Sequence, residues 1–409
     1  MDRDIIRGLA AQIAEIAALD IQEENRKLYR AVNGLKMIRP VVLLDELPWN
    51  QLNYDGELDL HCEDEYLRSV ELGMRRMLYR WKHCPGDMII DPFYSLPRVI
   101  HISPIGPKVK ENILAADSGN HIVSHHYEDQ FACMEDLEKL KAPEITVDDA
   151  LTHSRYELLN GIFGDILPIR ITGITGAGFY MPWDDLSMWR GVEPIYTDLY
   201  DEPELLHAFM RKFVDIRKDL LRREEEMGLL DDYLPVLHCT PGLVDDLPGE
   251  KIDGKVTRKN LWGRGTAQCF ASVSPAMHDE FEIEYAKEYF EGFGLVYYGC
   301  CEPLHDKIDI VKKLPNLRKL SITPWADVRK SAERIGSDYV LSRKPNPATV
   351  GVPVLNEDAL RKDILETLTV CRENNTPCEF ILKDISSVAH NPRNLERWEQ
   401  VVMETIRNF

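Results

Sequence analysis

The sequence predicts an α/β protein whose main part is a (βα)8 TIM barrel preceded by an N-terminal helical extension. From about residue 85 onward, short β-branched runs alternate with longer amphipathic stretches, a pattern typical of parallel strands joined by right-handed crossovers. Eight such runs occur, which is the number of strands in this barrel. No GxGxxG motif follows the first run, so a doubly wound sheet is the weaker alternative. We therefore expect an extension over residues 1–84 and a barrel over residues 85–409.

The N-terminal extension is expected to be mostly helical. Apolar residues recur at helical spacing through its first part, and Asn33-Gly34 is a helix stop signal. A further helix is predicted over residues 63–83. Between these helices lies an extended, β-branched segment at 41–47, which is a ninth strand candidate and the one competitor for a place in the barrel.

Strands and helices of the barrel follow from alternating short and long apolar patterns. The eight predicted strands are 88–93, 167–173, 234–239, 265–273, 295–301, 317–323, 338–343 and 378–384. The helices predicted between them are 202–227, 276–293, 307–314, 328–335 and 358–374. Ser274-Pro275 is a helix start signal, and Gly294 and Gly336 are stop signals. The strand at 265–273 is the one that the segment 41–47 would replace.

Charge and composition exclude several classes of function. The chain of 409 residues has 49 basic and 69 acidic side chains and a formal net charge of −20, which argues against nucleic acid or an anionic membrane as a partner. Its start lacks the features of a signal peptide, and its apolar runs are shorter than a membrane span. The 9 cysteines are odd in number and contain no CxxC pair, so no disulfide framework is expected. We expect a cytoplasmic protein.

The carboxyl ends of the predicted strands carry the residues of chemical interest, because the active sites of TIM barrels lie at that end. Two ends supply metal-binding side chains, His238-Cys239 and Cys300-Cys301-Glu302. Zinc binds His nitrogen, Cys sulfur and carboxylate oxygen, and a catalytic zinc keeps one position open. Neighbouring residues of a strand point to opposite faces, so we expect only one residue of each adjacent pair to face the site. We therefore predict a zinc site with His238, Cys301 and Glu302 as ligands. The alternative is that the cysteines are buried as small apolar side chains, the commoner role of a free cysteine.

Candidate substrate-binding residues lie in a predicted loop and at two strand ends. Three aromatic side chains of the loop, Tyr180, Trp183 and Trp189, are expected to cover an apolar substrate at the barrel mouth. Gln268 lies at one strand end, and Arg343 lies at another, where it would hold a carboxylate or phosphate. The alternatives are that the aromatic loop covers the core and that Arg343 faces solvent.

Several segments in a fixed order resemble the uroporphyrinogen decarboxylase superfamily. They are LPIRITG, then DLYDEPELLHAFMRKF, then SVSPAMHDEFEIEYAKEYFEGFG followed at once by LVYYGCCE, and at the C-terminus CEFILKD and NPRNLERW. The resemblance covers about residues 85–409. It implies a TIM barrel and one of two chemistries, cofactor-free decarboxylation of a porphyrinogen or corrinoid-dependent methyl transfer.

The residues favour the methyltransferase branch of this superfamily. The decarboxylase branch has an arginine-rich N-terminal segment, whereas the comparable segment here supplies Arg39 alone. The methyltransferases resemble one another in a zinc site, with His-x-Cys at the end of a central strand and Cys near the last strand. The match puts Cys301 on the first Cys position and Gly299 on the His position, and the last-strand position falls near Lys383-Asp384.

Geometry supplies replacements for the ligands that do not carry over. His238, Glu302 and Asp384 lie at strand ends and are the substitutes we predict, with Glu302 and Asp384 as the catalytic carboxylates. The first hypothesis is then a methyltransferase that moves a methyl group between a small substrate, such as an aromatic methyl ether, and a corrinoid carried by a partner protein. The second is a cofactor-free decarboxylase of a tetrapyrrole-like acid, favoured by a basic pocket. The third is a non-catalytic corrinoid-binding barrel.

Overall fold

A computed structural model describes residues 1–114, 123–233 and 236–409 of the chain. From residue 262 onward the strands alternate with helices, as the sequence predicts for an α/β protein, whereas five described strands lie between residues 94 and 147 with no α-helix among the described residues there. The strands are β1 (Val41–Leu44), β2 (Tyr94–Pro97), β3 (Ile100–Ile102), β4 (Glu111–Leu114), β5 (Ser124–Tyr127), β6 (Ile145–Val147), β7 (Ile169–Thr172), β8 (Phe179–Tyr180), β9 (Trp262–Gly265), β10 (Leu295–Tyr298), β11 (Leu317–Ile322), β12 (Val340–Arg343) and β13 (Cys378–Leu382).

The helices fall largely where apolar periodicity predicts them. They are α1 (Asp2–Ala17), α2 (Asp20–Asn33), α3 (Glu65–His83), α4 (Asp149–Phe163), α5 (Pro182–Arg190), α6 (Val192–Asp201), α7 (Pro203–Glu226), α8 (Pro275–His278), α9 (Glu284–Phe290), α10 (Ile308–Val311), α11 (Val328–Ile335), α12 (Glu357–Glu373) and α13 (Arg393–Asn408). A π-helical turn at Asp279–Ile283 joins α8 to α9, so the helix predicted at 276–293 is continuous but irregular. Among the described residues, no helix has both the length and the apolar character that crossing a membrane requires.

The centre of the fold is a seven-stranded parallel sheet in the order β1-β13-β12-β11-β10-β9-β8. Each strand runs parallel to its neighbours, as the predicted crossovers require. A second parallel pair joins β2 to β7. Strand pairing does not connect this pair to the larger sheet within the described residues, so the described hydrogen bonds do not form a closed ring of strands.

The N-terminal region supplies an edge strand as well as helices. In β1, Val41 to Leu44 pair in register with Glu379 to Leu382 of β13. All four residues of β1 are buried, which suits a strand covered on both faces. The ninth strand candidate at 41–47 is therefore part of the main sheet, and residues 1–84 are more than a helical extension.

Three predicted strands differ from the structure. The segment 88–93 forms no strand, because side chains of α2 bind its backbone: Asn25 donates to the Met88 carbonyl at 3.0 Å, and Gln22 accepts from the Ile90 amide at 2.7 Å. The strand predicted at 265–273 is wrong in its bounds. The observed strand, β9, ends at Gly265, and a 3-10 turn follows at Gln268–Ser272.

The third of these predicted strands, 234–239, lies partly outside the described residues. Within the described part, residues 236–239 are not in a strand. Cys239 has a φ of +56°, in the left-handed region, which is incompatible with continued extended backbone. His238 and Cys239 therefore belong to a loop that approaches the sheet rather than to a strand of it.

The two faces of the large sheet differ in polarity. One face, with Val42, Phe380 and Leu382, packs into the main apolar core against the surrounding helices. The alternating positions carry polar side chains near the sheet centre, among them Lys319 and Glu379, which are both fully buried. Burying charge at this depth is costly unless it is paired, so the polar face requires a partner network of its own.

Candidate functional site

A cavity of about 650 Å³ lies beyond the carboxyl ends of β10, β12 and β13. These ends meet at one edge because the three strands belong to one parallel sheet. Its lining includes Cys300 and Cys301 after β10, Lys344 after β12, and Lys383 and Asp384 after β13. The cavity therefore lies at the sheet edge for which the sequence predicts a site.

Left-handed backbone conformations cluster around this cavity. Glu46, Cys239 and Asp384 have φ values of +50°, +56° and +57°. Non-glycine residues adopt such conformations at a cost of about 1–3 kcal/mol each, and they concentrate at functional sites. Gly299, directly before the two cysteines, has a φ of +98°, and a Cβ there would lie 2.6 Å from Leu304 Cδ1. A histidine at position 299, as in the His-x-Cys pattern, would not fit.

Four side chains form a continuous series of contacts, and three of them, Cys300, Cys301 and Asp384, line the cavity floor. His238 Nε2 lies 3.4 Å from Cys300 Sγ, Cys300 Sγ lies 3.6 Å from Cys301 Sγ, and Cys301 Sγ lies 3.5 Å from Asp384 Oδ2. Because β10 ends at Tyr298, neither cysteine is held to strand alternation, and both line the cavity. The expectation that only one of the pair would face the site is wrong for this reason.

The two adjacent thiols differ in acidity. The thiol hydrogen bond with Cys301 lowers the pKa of Cys300; burial opposes this effect, and the nearby cations Lys383 and Arg264 support it. The pKa of Cys301 is raised, first by the same hydrogen bond, then by burial and by the negative charges of Cys300 and Asp384. Cys300 is therefore the more acidic thiol of the pair.

His238 is a neutral imidazole with an unused nitrogen. The side chain is 7% exposed. Burial lowers its pKa well below the usual range, and the nearby cations Lys344 and Arg264 lower it further. Its Nδ1 has no hydrogen-bond partner among the described residues. A buried imidazole with a nitrogen free of protein contacts has the property required of a ligand-binding group.

Glu302 is not part of this floor. Its carboxylate accepts hydrogen bonds from the Thr266 hydroxyl at 3.0 and 3.1 Å, from the Ala267 amide at 3.3 Å and from the Cys300 amide at 3.0 Å. The side chain is fully buried, and burial raises its pKa. Because protein donors occupy both oxygens, Glu302 fixes the loop after β10 to the turn after β9. The prediction that it binds metal or acts in catalysis is corrected accordingly.

Beneath the cavity lies a buried polar network. Lys319 Nζ lies 3.0 Å from both carboxylate oxygens of Glu379, and both side chains are fully buried. Glu379 also accepts from the Ser342 hydroxyl at 2.6 Å. Ser342 in turn accepts from Lys344 Nζ and from the Tyr297 hydroxyl, each at 2.9 Å. The network holds Lys344 in a fixed position at the cavity floor.

The predicted aromatic lid is part of the core. Tyr180 and Trp183 are fully buried and Trp189 nearly so, all in the main apolar cluster. Tyr180 stacks on Tyr289, with ring centroids 4.7 Å apart, and Trp183 packs on Phe270 at 4.5 Å. These side chains stabilise the layer between sheet and helices and do not line the cavity. The aromatic side chain at the cavity is instead Trp325, which is 68% exposed.

Gln268 and Arg343 also lie outside the cavity lining. Gln268 Nε2 donates to Asp184 Oδ2 at 2.7 Å. Arg343 faces the helical layer, where it donates to the Thr323 carbonyl at 2.6 Å and contacts Asp363 at 3.2 Å. Alternation along β12 explains the error: the two successive cations 343 and 344 point to opposite faces, and Lys344 is the one at the cavity.

The donors fit zinc in type, although not as the set that was predicted. The imidazole nitrogen of His238 and the sulfur of Cys301 lie 3.4 and 3.6 Å from the sulfur of Cys300, and neighbouring ligands of a tetrahedral zinc are about 3.3–3.8 Å apart for the usual bond lengths. Within the described residues, however, no group of three or more His, Cys, Asp and Glu side chains is placed so that it could hold a metal ion. Binding would thus require side-chain rotations of His238, Cys300 and Cys301.

No protein-family model matches the chain, and no curated protein is similar to it. A solved structure that is similar is a methyltransferase from Methanosarcina mazei, at 12% sequence identity and a TM-score of 0.47, with 94% of this chain and 98% of that chain covered. Similarity at this level does not decide function, so the chemistry of this protein is inferred from the residues of its own site.

Proposed function

We propose that the protein is a methyltransferase that moves a methyl group between a small substrate and a corrinoid carried by a partner protein, with zinc assisting. The observation that carries this proposal is the series His238–Cys300–Cys301–Asp384, of which the last three line the cavity. The series combines a neutral imidazole, two thiols and a carboxylate, the ligand types of a catalytic zinc. His238, Cys300 and Cys301 replace the predicted set as zinc ligands, and Asp384 stays as the candidate catalytic carboxylate.

Zinc and the corrinoid would each supply chemistry that protein side chains lack. When bound, zinc would polarise the heteroatom that carries the methyl group, and the partner's corrinoid would supply the methyl acceptor. In the transfer the carbon–heteroatom bond breaks, its electron pair stays on the heteroatom, and that atom gains a proton. The methyl group leaves without those electrons, so the acceptor must contribute an electron pair to it.

The chain's own residues prepare the site for this transfer. Lys383 contacts Asp384 at 2.5 Å and Glu46 at 3.2 Å. Although burial acts to raise it, the pKa of Asp384 is held below its usual value by hydrogen bonds with Glu46 and Lys383. Asp384 is therefore an anion that accepts the proton of Cys301 when that thiol becomes a ligand. The proton leaves the sulfur without a buried charge being created, because Lys383 is already in place.

The nature of the methyl donor is set by the cavity rather than by the aromatic loop. The side chains that suggested an aromatic methyl ether are in the core, so this substrate rests only on Trp325 at the cavity rim. Prolines 324, 345 and 347 line the same rim. A flat or apolar body packed there would leave its polar end toward the cysteines and lysines of the floor.

We further infer that the strands close into the (βα)8 barrel of the superfamily that the sequence resembles. Two contacts support closure. The Asp87 amide donates to the Val42 carbonyl of β1 at 2.8 Å, just before the chain enters β2, and residues 174 and 230 form a parallel bridge after β7. The first links the chain before β2 to the edge strand β1, and the second extends the parallel pairing of the small sheet beyond β7. A crystal structure with continuous strand pairing around the sheet would test this inference.

The experiment combines metal analysis with a transfer assay. Purified protein is analysed for zinc, then incubated with chemically reduced cobalamin and a panel of methyl ethers and methylated amines, with the demethylated product measured by chromatography. We expect about one zinc per chain and a product that disappears in Cys300→Ser. Cys133→Ser is the matched control, since Cys133 is an exposed thiol that caps a 3-10 turn. Zinc-free wild-type protein with no product from any panel member would overturn the proposal.

A cofactor-free decarboxylase is the alternative, and one observation favours it. The cavity floor holds the buried cation Lys344, and a basic pocket suits an acidic substrate. The two functions differ in a simple readout, because a decarboxylase would release carbon dioxide from a porphyrinogen without cobalamin or zinc. A non-catalytic corrinoid-binding protein would give neither product.

A further inference from the structure

Lys344 is a buried cation without an acidic partner. Its side chain is 3% exposed, yet it lines the cavity. Its Nζ contacts the hydroxyls of Tyr297 and Ser342, each at 2.9 Å, and forms no ion pair with a carboxylate among the described residues. Buried ammonium groups are retained in proteins almost only where they are paired or where they act on a ligand. Lys344 therefore needs an explanation that the fold itself does not supply.

The other lysines around the floor are already matched. Lys319 is bound to Glu379, and Lys383 is bound to Asp384 and Glu46. Lys344 is thus the lysine at the cavity that contacts no carboxylate among the described residues, and its positive charge is the unmatched one.

Hydrogen-bond directions leave Lys344 a free donor. An ammonium has three N–H groups. Two are taken by the Tyr297 and Ser342 hydroxyl oxygens, whose own protons point away from it: Tyr297 donates to Ser342 at 2.9 Å, and Ser342 donates to Glu379 at 2.6 Å. The third N–H has no partner among the described residues. The imidazole of His238, whose Nδ1 is also unpartnered, contacts Cys300 of the same floor.

We propose that the substrate carries a single carboxylate, which Lys344 binds at the cavity floor while the methylated part of the molecule lies toward Cys300 and the rim at Trp325. This inference rests on the proposed function and names its substrate class. A monocarboxylate supplies one negative charge for one unmatched cation. A doubly charged phosphate would leave a negative charge buried without a partner, so the site discriminates against it.

A binding experiment tests this without any methyl transfer. The probes are 4-methoxybenzoate and its uncharged analogue 4-methoxybenzamide, which have nearly the same shape and differ in charge. Their dissociation constants are measured by calorimetry on the wild-type protein, on Lys344→Met and on Arg343→Met. The last variant is the matched control, because it removes a cation one residue away on the opposite face of β12. Phenyl phosphate is the third probe.

We expect wild type and Arg343→Met to bind the benzoate at least tenfold more tightly than the benzamide and than phenyl phosphate. In Lys344→Met this preference should fall to less than threefold, with the affinity for the benzamide unchanged. Equal binding of benzoate and benzamide by the wild type, or no binding of either at millimolar concentration, would overturn the proposal. That result needs no variant, so it stands even if Lys344→Met fails to fold. Benzoate preference without zinc or transfer activity would instead reject the proposed function alone.

Discussion

Replacing Lys319 with methionine is expected to destabilise the protein strongly, because it leaves Glu379 as a buried, uncompensated charge. Both side chains have no exposed surface, and the ammonium lies 3.0 Å from both carboxylate oxygens. Methionine has nearly the length of lysine, so the variant removes charge while it keeps most of the packing. The change therefore isolates the electrostatic part of the network beneath the cavity.

The structure sets the size of the effect. Removing one partner of a buried ion pair costs about 3–5 kcal/mol. In Lys319→Met, Glu379 keeps the hydroxyl donors Ser342 at 2.6 Å and Thr240 at 3.0 Å, which satisfy part of the carboxylate but supply no charge. We therefore expect a loss near the lower end, ~3 kcal/mol, which is roughly a hundredfold change in the unfolding equilibrium constant.

Urea unfolding followed by circular dichroism measures this loss. The control is Lys313→Met, which breaks an ion pair with Asp279 in which the lysine is 43% exposed. Exposed pairs contribute about 0–1 kcal/mol, so the control should unfold close to the wild-type midpoint. A loss below about 1 kcal/mol for Lys319→Met, equal to that of the control, would show that the pair is hydrated or neutral and that the charge count around Lys344 is mistaken.

Three further predictions follow from the burial and ionisation of other side chains. Trp183→Ala should cost about 3–5 kcal/mol in urea unfolding without changing the affinity for 4-methoxybenzoate, because Trp183 is fully buried away from the cavity; a selective loss of affinity would restore the aromatic-lid hypothesis. Burial lowers the pKa of Lys307 from 10.5 to about 8, so between pH 8 and pH 10.5 the unfolded chain binds more protons than the folded one. The free energy of unfolding of the wild type relative to Lys307→Met should therefore rise with pH across that range. A difference between the two proteins that does not change with pH would contradict this. Iodoacetamide at neutral pH should modify Cys300 before Cys239 and Cys378, because the pKa of Cys300 is lowered. Burial and nearby carboxylates raise the pKa of Cys239, and a hydrogen bond with Cys371 together with burial raises that of Cys378. If peptide mass spectrometry finds Cys378 modified first, the site is misplaced.

The strands that were predicted well are those buried on both faces of the sheet. Residues 317–323, 338–343 and 378–384 are short apolar or β-branched runs bounded by polar turns, and β11, β12 and β13 occupy them with small shifts at the ends. Strands of this kind can be predicted from their own residues, without knowledge of contacts with distant ones. The segment 88–93 has the same composition but no strand, because Gln22 and Asn25, more than sixty positions away, bind its backbone groups. Periodicity carries no signal for a contact of that kind.

Part of the side-chain series at the cavity could be predicted from the sequence. The carboxyl ends of parallel strands meet at one edge, so Cys301 and Asp384 could be grouped, whereas His238 joins them from a loop and not from the predicted strand end. Cys300 was not predicted as a ligand, because the alternation of strand side chains was applied to residues 300 and 301, beyond the end of β10 at Tyr298. Glu302 was included because its backbone donors cannot be seen in the sequence.

One choice within the site could have been made from the sequence. Alternation counted along β12 from the buried Val340 places positions 342 and 344 on one face and Arg343 on the other. Applying that count would have selected Lys344 as the cavity-lining cation. That Lys344 has no carboxylate partner could not have been predicted. It depends on which cations the carboxylates Glu379, Asp384 and Glu46 contact in the folded chain.

Zinc content of the cysteine variants is the measurement that tests the central claim most directly. Wild-type protein, Cys300→Ser, Cys301→Ser and the control Cys133→Ser are purified alike, and zinc per chain is determined together with the unfolding midpoint. We predict about one zinc in wild type and in Cys133→Ser, and less than a tenth of that in both Cys300→Ser and Cys301→Ser, with all four proteins folded. Full zinc and full methyl transfer in Cys300→Ser and Cys301→Ser would contradict the role of this thiol pair.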